Sequence, residues 1–349
     1  RELFVCLENF EASSSRLWRV SVAVAGALLC LVGGALIVNA FIANPTYPDH
    51  GQTDRLLNSD FDLYVRAADG LAGNPYRPEL GAGFDRYGYP PLLAGVLAGL
   101  KYLLGPNVLG LFWTALCVAS LTGAIVLLAR GFGAKLGYHW IAVIMGVVLL
   151  GRVVRMDIYH GQVNVMILLL LAGGLLLRSQ GRVIAAATAF AVMMSLKPFM
   201  GAVLIYFMLR GDWRMTAWAL GLGAALFVAS FLPTWPNIAD AALGWREAQQ
   251  HFTSPPFVTK PDNQSAYGLF VRMFTETPFS TPWINNPQMV PAAMSLAIAG
   301  AAILAIIGLH LGKREDEDEE TRMGPAPAAL LLECAMVLGK RGMRRVHLV

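Results

Sequence analysis

The chain has 349 residues, 56% of them hydrophobic and 14% charged, with a mean hydropathy of +0.54. Soluble domains carry about 25% charged residues, so the composition excludes a soluble protein and points to an integral membrane protein. The formal net charge of +4 is small; its placement matters more than its sum, and no nucleic-acid partner is expected.

Four cysteines, Cys6, Cys30, Cys117 and Cys334, form no close CxxC pair. They predict neither a disulfide framework nor a zinc site. No metal and no other cofactor is expected.

Residues 1–19 read as a polar cytoplasmic segment, with Arg16 and Arg19 beside the first apolar run. That run, Val20 to Ala43, is too long for a signal-peptide core and reads as a retained span. Basic flanks favour the cytoplasmic side, so residues 45–88 are expected outside. Residues 89–104 are apolar but short, and start at Pro90-Pro91. They are marginal for crossing ~30 Å of hydrocarbon and read as an outer juxtamembrane helix.

The run Val108 to Ala129 is long enough to span. Basic connectors follow at Arg130/Lys135, Arg178/Arg182 and Arg210/Arg214, all expected inside. The spans between them are 138–154, 163–178, 182–197, 199–210 and 214–232. Lys197-Pro198 breaks the helical pattern. Residues 233–289 form a second outer loop and 290–311 return. The acidic run around residues 315–320 opens a charged cytoplasmic tail, 312–349. The chain reads as trimmed at its start and cut or altered at its end.

The expected fold is all-α and polytopic, with about eight transmembrane helices, a membrane domain over 20–311 and outer loops at 45–105 and 233–289. Alternating ~10-residue strands, the sign of a barrel, are missing. So are internal repeats, a GxxxxGK[ST] loop and an HExxH motif.

Four polar sites stand out against this apolar background. Asp60 and Asp62 follow the first span; two residues apart, they point to different sides of a helix or strand. One of them is either a general base near the membrane or part of a helix cap beginning at Ser59 or Asp60. Gly161-Gln162-Val163-Asn164, after Asp157 and His160, places two amides at a helix start. Buried amides near a bilayer are costly unless bonded; they either grip a ligand's hydroxyls or phosphate or hold helices together. Lys197 is the sole charge over residues 183–209. It either meets an anion such as a lipid-linked phosphate or snorkels to the interface. Asp262 to Ser265, with Arg272, forms a polar cluster in the second outer loop.

Asp60-Phe61-Asp62-Leu63-Tyr64, Gly73-Asn74-Pro75-Tyr76 and Tyr89-Pro90-Pro91-Leu92 together resemble the first outer loop of GT-C polyprenol-phosphate-dependent glycosyltransferases. The closer resemblance is to glycosyltransferase family 87 (DUF2029), which includes mycobacterial mannosyltransferases acting on phosphatidylinositol mannosides. Gly161 to Asn164, Leu196-Lys197-Pro198 and Asn263-Gln264-Ser265 with Arg272 match further family patterns in the same order.

The resemblance covers residues 20–310. It implies a GT-C-like helical bundle in the cell membrane, with its active site facing outside. A polyprenyl-phosphate-linked hexose, mannose in the nearest members, would be the donor, and a glycolipid or glycan the acceptor. Asp60 takes the role of general base with Asp62 second, and Lys197 and Arg272 hold the donor phosphate. Tyr64, Tyr76, Tyr89, His160, Gln162, Asn164, Asn263 and Gln264 are the expected substrate contacts. The rival is a transporter or flippase of lipid-linked sugar, which predicts paired broken helices in two repeated halves.

Overall fold

The computed structural model describes residues 16–43, 59–77, 87–131, 136–259, 265–277, 280–282, 284–300 and 303. Among them there is no strand, and a single isolated bridge pairs Thr277 with Ser280. Asn263, Gln264 and the tail 312–349 lie outside the described residues.

The helices relevant to the site are α1 (Arg16–Ala43), α2 (Ser59–Asp69), α3 (Pro91–Leu104), α4 (Pro106–Gly131), α5 (Tyr138–Leu150) and α6 (Arg152–Tyr159). They continue with α7 (Asn164–Ser179), α8 (Val183–Leu196), α9 (Val203–Leu209), α10 (Trp213–Ala229), α11 (Ile238–Thr253), α12 (Pro255–Val258) and α13 (Ala266–Phe274). The helix Met289–Gly300, α14, is the last among the described residues.

The chain divides into two compact units. One comprises residues up to Phe199 together with Trp213–Trp245; the other comprises Met200–Asp212 and residues from Arg246 onward.

In the first unit α1 packs on α5, α4 on α7, α7 on α8, α8 on α10, and α2 on α3. Small residues permit the closest approaches. A methyl added at Gly26 would stand 2.7 Å from the Val143 nitrogen, and one at Gly33 would stand 2.6 Å from the Leu149 Cβ. Helices in a bilayer gain little from apolar burial against one another, so close backbone contact at such residues is what holds α1 to α5. The faces turned away are apolar: Leu31 is 69% exposed and Leu111 66%. Outward Leu at that exposure suits a lipid environment.

Among the described residues, three helices are long and apolar enough to cross a membrane: Trp18–Asn39, Val108–Gly131 and Trp213–Thr234. The pair α6–α7, bent by 111°, makes a fourth if counted as one span. The expected count of about eight is thus not reached by helices of spanning length. The other apolar segments form shorter helices, α3, α5, α8, Pro198–Leu209 and α14. The physical reason is visible at the breaks. The expected span 138–154 stops at Leu150, because Gly151 takes an extended backbone before Arg152. The expected break at Lys197-Pro198 is present: α8 ends at Leu196 and Lys197 is extended. The segment 89–104 forms the 14-residue helix α3, about 21 Å long at 1.5 Å per residue. That is shorter than the hydrocarbon layer, and a Lys101–Asp69 ion pair at 2.7 Å ties its end to α2.

In the second unit, Val258, Val271 and Val290 form a small core with Phe270 and Phe274 packed against it. The Ser265 Oγ caps α13 by accepting from the Gly268 N–H at 3.0 Å.

Candidate functional site

The site in the first unit is built around the turn between α6 and α7. The sequence Tyr159-His160-Gly161-Gln162 stops α6 by a Schellman arrangement. Gly161 takes the left-handed conformation, φ +64°. Its N–H donates to the Ile158 carbonyl at 3.0 Å, and the Gln162 N–H donates to the Asp157 carbonyl at 2.9 Å. This closure brings residues 157 and 162 side by side. In most such caps those two positions carry an apolar contact; here they are an aspartate and a glutamine.

Two other elements clasp the turn. The Trp113 indole N–H on α4 donates to the Gly161 carbonyl at 2.8 Å, and its ring packs on Phe61 with centroids 5.5 Å apart. One helical turn further along α4, the Cys117 thiol points at the Gln162 carbonyl at 3.8 Å. From α2, the Phe61 N–H donates to the His160 carbonyl at 3.1 Å. This bond satisfies one of the amides that a helix start leaves without an intrahelical partner. It also sets the side chain of Asp60 over the turn.

The result is a continuous polar chain. Gln162 Nε2 donates to Asp60 Oδ2 at 2.5 Å, across 102 residues of sequence. Gln162 Oε1 accepts from Asn164 Nδ2 at 2.6 Å. Asn164 Nδ2 also donates to Asp157 Oδ1, and Asn164 Oδ1 accepts from Lys197 Nζ at 2.5 Å. The ammonium also lies 5.4 Å from the ring centre of Tyr89 and 5.8 Å from that of Phe199. Four of the expected residues, Asp60, Gln162, Asn164 and Lys197, are therefore in one network, with Tyr89 against it.

The tyrosines form a separate layer. The Tyr64 hydroxyl donates to the Tyr89 hydroxyl at 2.9 Å, and the Tyr76 hydroxyl donates to the Tyr89 carbonyl at 2.8 Å. Tyr87 is enclosed between them; its hydroxyl donates to the Pro90 carbonyl at 3.0 Å and accepts from the Ala94 N–H at 3.1 Å. Burial pushes the phenols of Tyr76 and Tyr87 well above the ordinary tyrosine range, and neighbouring tyrosines add to it. Tyr64 and Tyr76 thus spend their hydroxyls on fixing Tyr89.

Of the remaining expected residues, Asp62 lies outside this network. Asp62 points to another face of α2 and pairs with Arg66 at 2.7 Å, its side chain 43% exposed. His160 contributes its carbonyl to Phe61, and its ring packs edge-on against Tyr159. Arg272 lies in the last turn of α13, in the second unit. Among the described residues, no three His, Cys, Asp or Glu side chains gather as a metal-ligand set.

Asp157 is the network member that sequence reasoning did not single out. The signal was present: a glycine at 161 that ends a helix places residues 157 and 162 together. A carboxylate at the first, with amides at 162 and 164, marks the position.

A family model described as glycosyltransferase family 87 matches residues 87–336, more than half of the chain. It takes in Tyr89, the turn at 161–164, Lys197 and Arg272, and begins after Asp60. No curated protein and no solved structure matches the chain.

Proposed function

Given that the chain belongs to glycosyltransferase family 87 and is a membrane glycosyltransferase, we propose that it moves a hexose, mannose in the first instance, from a polyprenyl-phosphate donor to a glycolipid or glycan acceptor. The reaction takes place at the outer face of the cell membrane, on a membrane domain over residues 20–311. The observation that carries this reading is the network joining Asp60 to Lys197 through two amides.

An acceptor hydroxyl attacks the anomeric carbon of the donor sugar. As the new C–O bond forms, the bond from that carbon to the phosphate oxygen breaks. Asp60, whose Oδ2 is held by Gln162, takes the hydroxyl proton on its other oxygen. The phosphate leaves with the bonding electrons. Lys197 stabilises the charge that develops there; its amine has three N–H bonds, of which the bond to Asn164 uses one. Tyr89, with its hydroxyl and carbonyl both anchored, offers a fixed aromatic face beside the ammonium for the sugar. Tethering both substrates to one surface supplies proximity.

The test uses membranes containing the full chain, radiolabelled polyprenyl-phosphate-mannose and a lipid extract, with wild type and Asp60→Asn side by side. Label entering a new glycolipid with wild type alone is the expected result. Equal transfer by Asp60→Asn would remove Asp60 as the base.

A further inference from the structure

Asp157 has no part in the transfer step above, yet it holds the network that reaches Asp60. The direction of the network's hydrogen bonds follows from its ends. Lys197 has only donors, so the Asn164 atom facing it must be Oδ1. Asn164 Nδ2 then turns the other way and meets two acceptors, Asp157 Oδ1 and Gln162 Oε1. With Oε1 engaged, Gln162 has Nε2 left for Asp60. If the sense were reversed, Gln162 would turn Oε1 on Asp60, which only a protonated acid accommodates.

We propose that Asp157 is a positioning residue for transfer: with Lys197 it fixes the polarity of the Asn164–Gln162 amide pair, so that Gln162 presents a donor, not an acceptor, to Asp60. The proposal rests on the reading of Asp60 as the base. Its competitor is a capping role. The Val165 N–H at the start of α7 also reaches the Asp157 carboxylate, and a carboxylate there stabilises a helix start. A cap contributes to folding and leaves the chemical step alone.

The experiment uses the full chain in membranes with radiolabelled polyprenyl-phosphate-mannose. It compares wild type, Asp60→Asn, Asp157→Asn, Gln162→Glu and the exchange Asp157→Asn with Asn164→Asp. Asp157→Asn is expected to lower kcat at least about tenfold with KM little changed, since misaligned groups lose rate before affinity. The exchange keeps the same atoms and charge but puts a carboxylate against Lys197. It should recover the thermal midpoint and not kcat. Gln162→Glu replaces the donor to Asp60 with a second carboxylate and should give at least the same kcat loss without depending on how Asp157→Asn folds. A lowered midpoint with wild-type kcat in Asp157→Asn, or full kcat in the exchange, overturns the proposal and leaves a cap.

Infrared spectra of protein with 13C-labelled aspartate provide a readout independent of turnover. The carboxylate band lost in Asp60→Asn belongs to Asp60, and Asp157→Asn should move it. An unmoved band overturns the proposal whatever the transfer assay gives. Wild-type transfer by Asp60→Asn refutes the base reading by itself, and the band still reports whether Asp157 governs the hydrogen bond on Asp60.

Discussion

Substituting Gly161 by alanine tests the whole construction of the site at one atom. Two separable costs arise. The first is conformational: φ is +64°, and an L-residue in that region costs roughly 1–2 kcal/mol. The second is steric. The added methyl would stand 2.7 Å from the Phe61 Cβ and 3.4 Å from the Trp113 ring. Both neighbours are buried and both are hydrogen-bonded to this turn, Phe61 through its backbone N–H, so neither swings away. Overpacking of that kind costs roughly 1–3 kcal/mol, and together the two costs reach about 2–5 kcal/mol. Gly181 supplies the control. Its φ is +74° and nothing lies within 4 Å of an added methyl, so Gly181→Ala carries the first cost alone. Both variants would be unfolded by SDS titration in mixed micelles and assayed for transfer. Gly161→Ala should lose about 1–3 kcal/mol more than Gly181→Ala. It should also lose about 10²-fold in transfer rate, because the backbone shift that relieves the clash carries Asp60, next to Phe61, with it. Equal destabilisation by the two variants, or full activity in Gly161→Ala, would refute the argument that this turn seats the carboxylate.

Three other outcomes follow from the same geometry. Asp62→Asn breaks a half-exposed ion pair with Arg66 and should change stability by less than about 1 kcal/mol; its transfer rate, measured beside that of Asp60→Asn, should stay near wild type. Lys197→Met should lower kcat/KM about 10²–10³-fold through loss of charge stabilisation, and a loss of less than about fivefold would show that the phosphate is held elsewhere. Tyr76 and Tyr87 keep their protons in the folded chain above the ordinary tyrosine value of 10.0. Below that pH both states are protonated and stability is level; above it the unfolded chain releases protons that the folded one retains, so stability falls as pH rises. Absorbance of ionised tyrosine, followed with the unfolding midpoint, should show these two of the ten tyrosines titrating only as the chain unfolds.

The membrane class, the helical build and the break at Lys197-Pro198 were legible because each rests on local chemistry. Apolar runs favour helices, and proline disfavours helix at the residue before it. Gln162, Asn164 and Lys197 were legible because polar groups among leucines need partners. The partners themselves were not. The bond from Gln162 to Asp60 crosses 102 residues, and no periodicity encodes it. The sharp turn between α6 and α7 was hidden inside what reads as a connector, and with it the nearness of Asp157 to Gln162. Hydropathy also overstated the helices. It registers apolar length and is blind to an extended glycine such as Gly151, so segments that read as full spans divide into shorter pieces.

Cys117 is fully buried, and its sulfur lies 3.8 Å from the Gln162 carbonyl, one turn along α4 from the tryptophan that clasps Gly161. The protein therefore carries its own reporter at the back of the site. With Cys6, Cys30 and Cys334 replaced by serine, a maleimide can reach the remaining thiol only when the turn parts from α4. The rate of alkylation then measures how often this wall opens, and a bound donor that braces the turn through Asn164 and Lys197 would slow it. Labelling kinetics would thus detect occupancy of the site before any product is known.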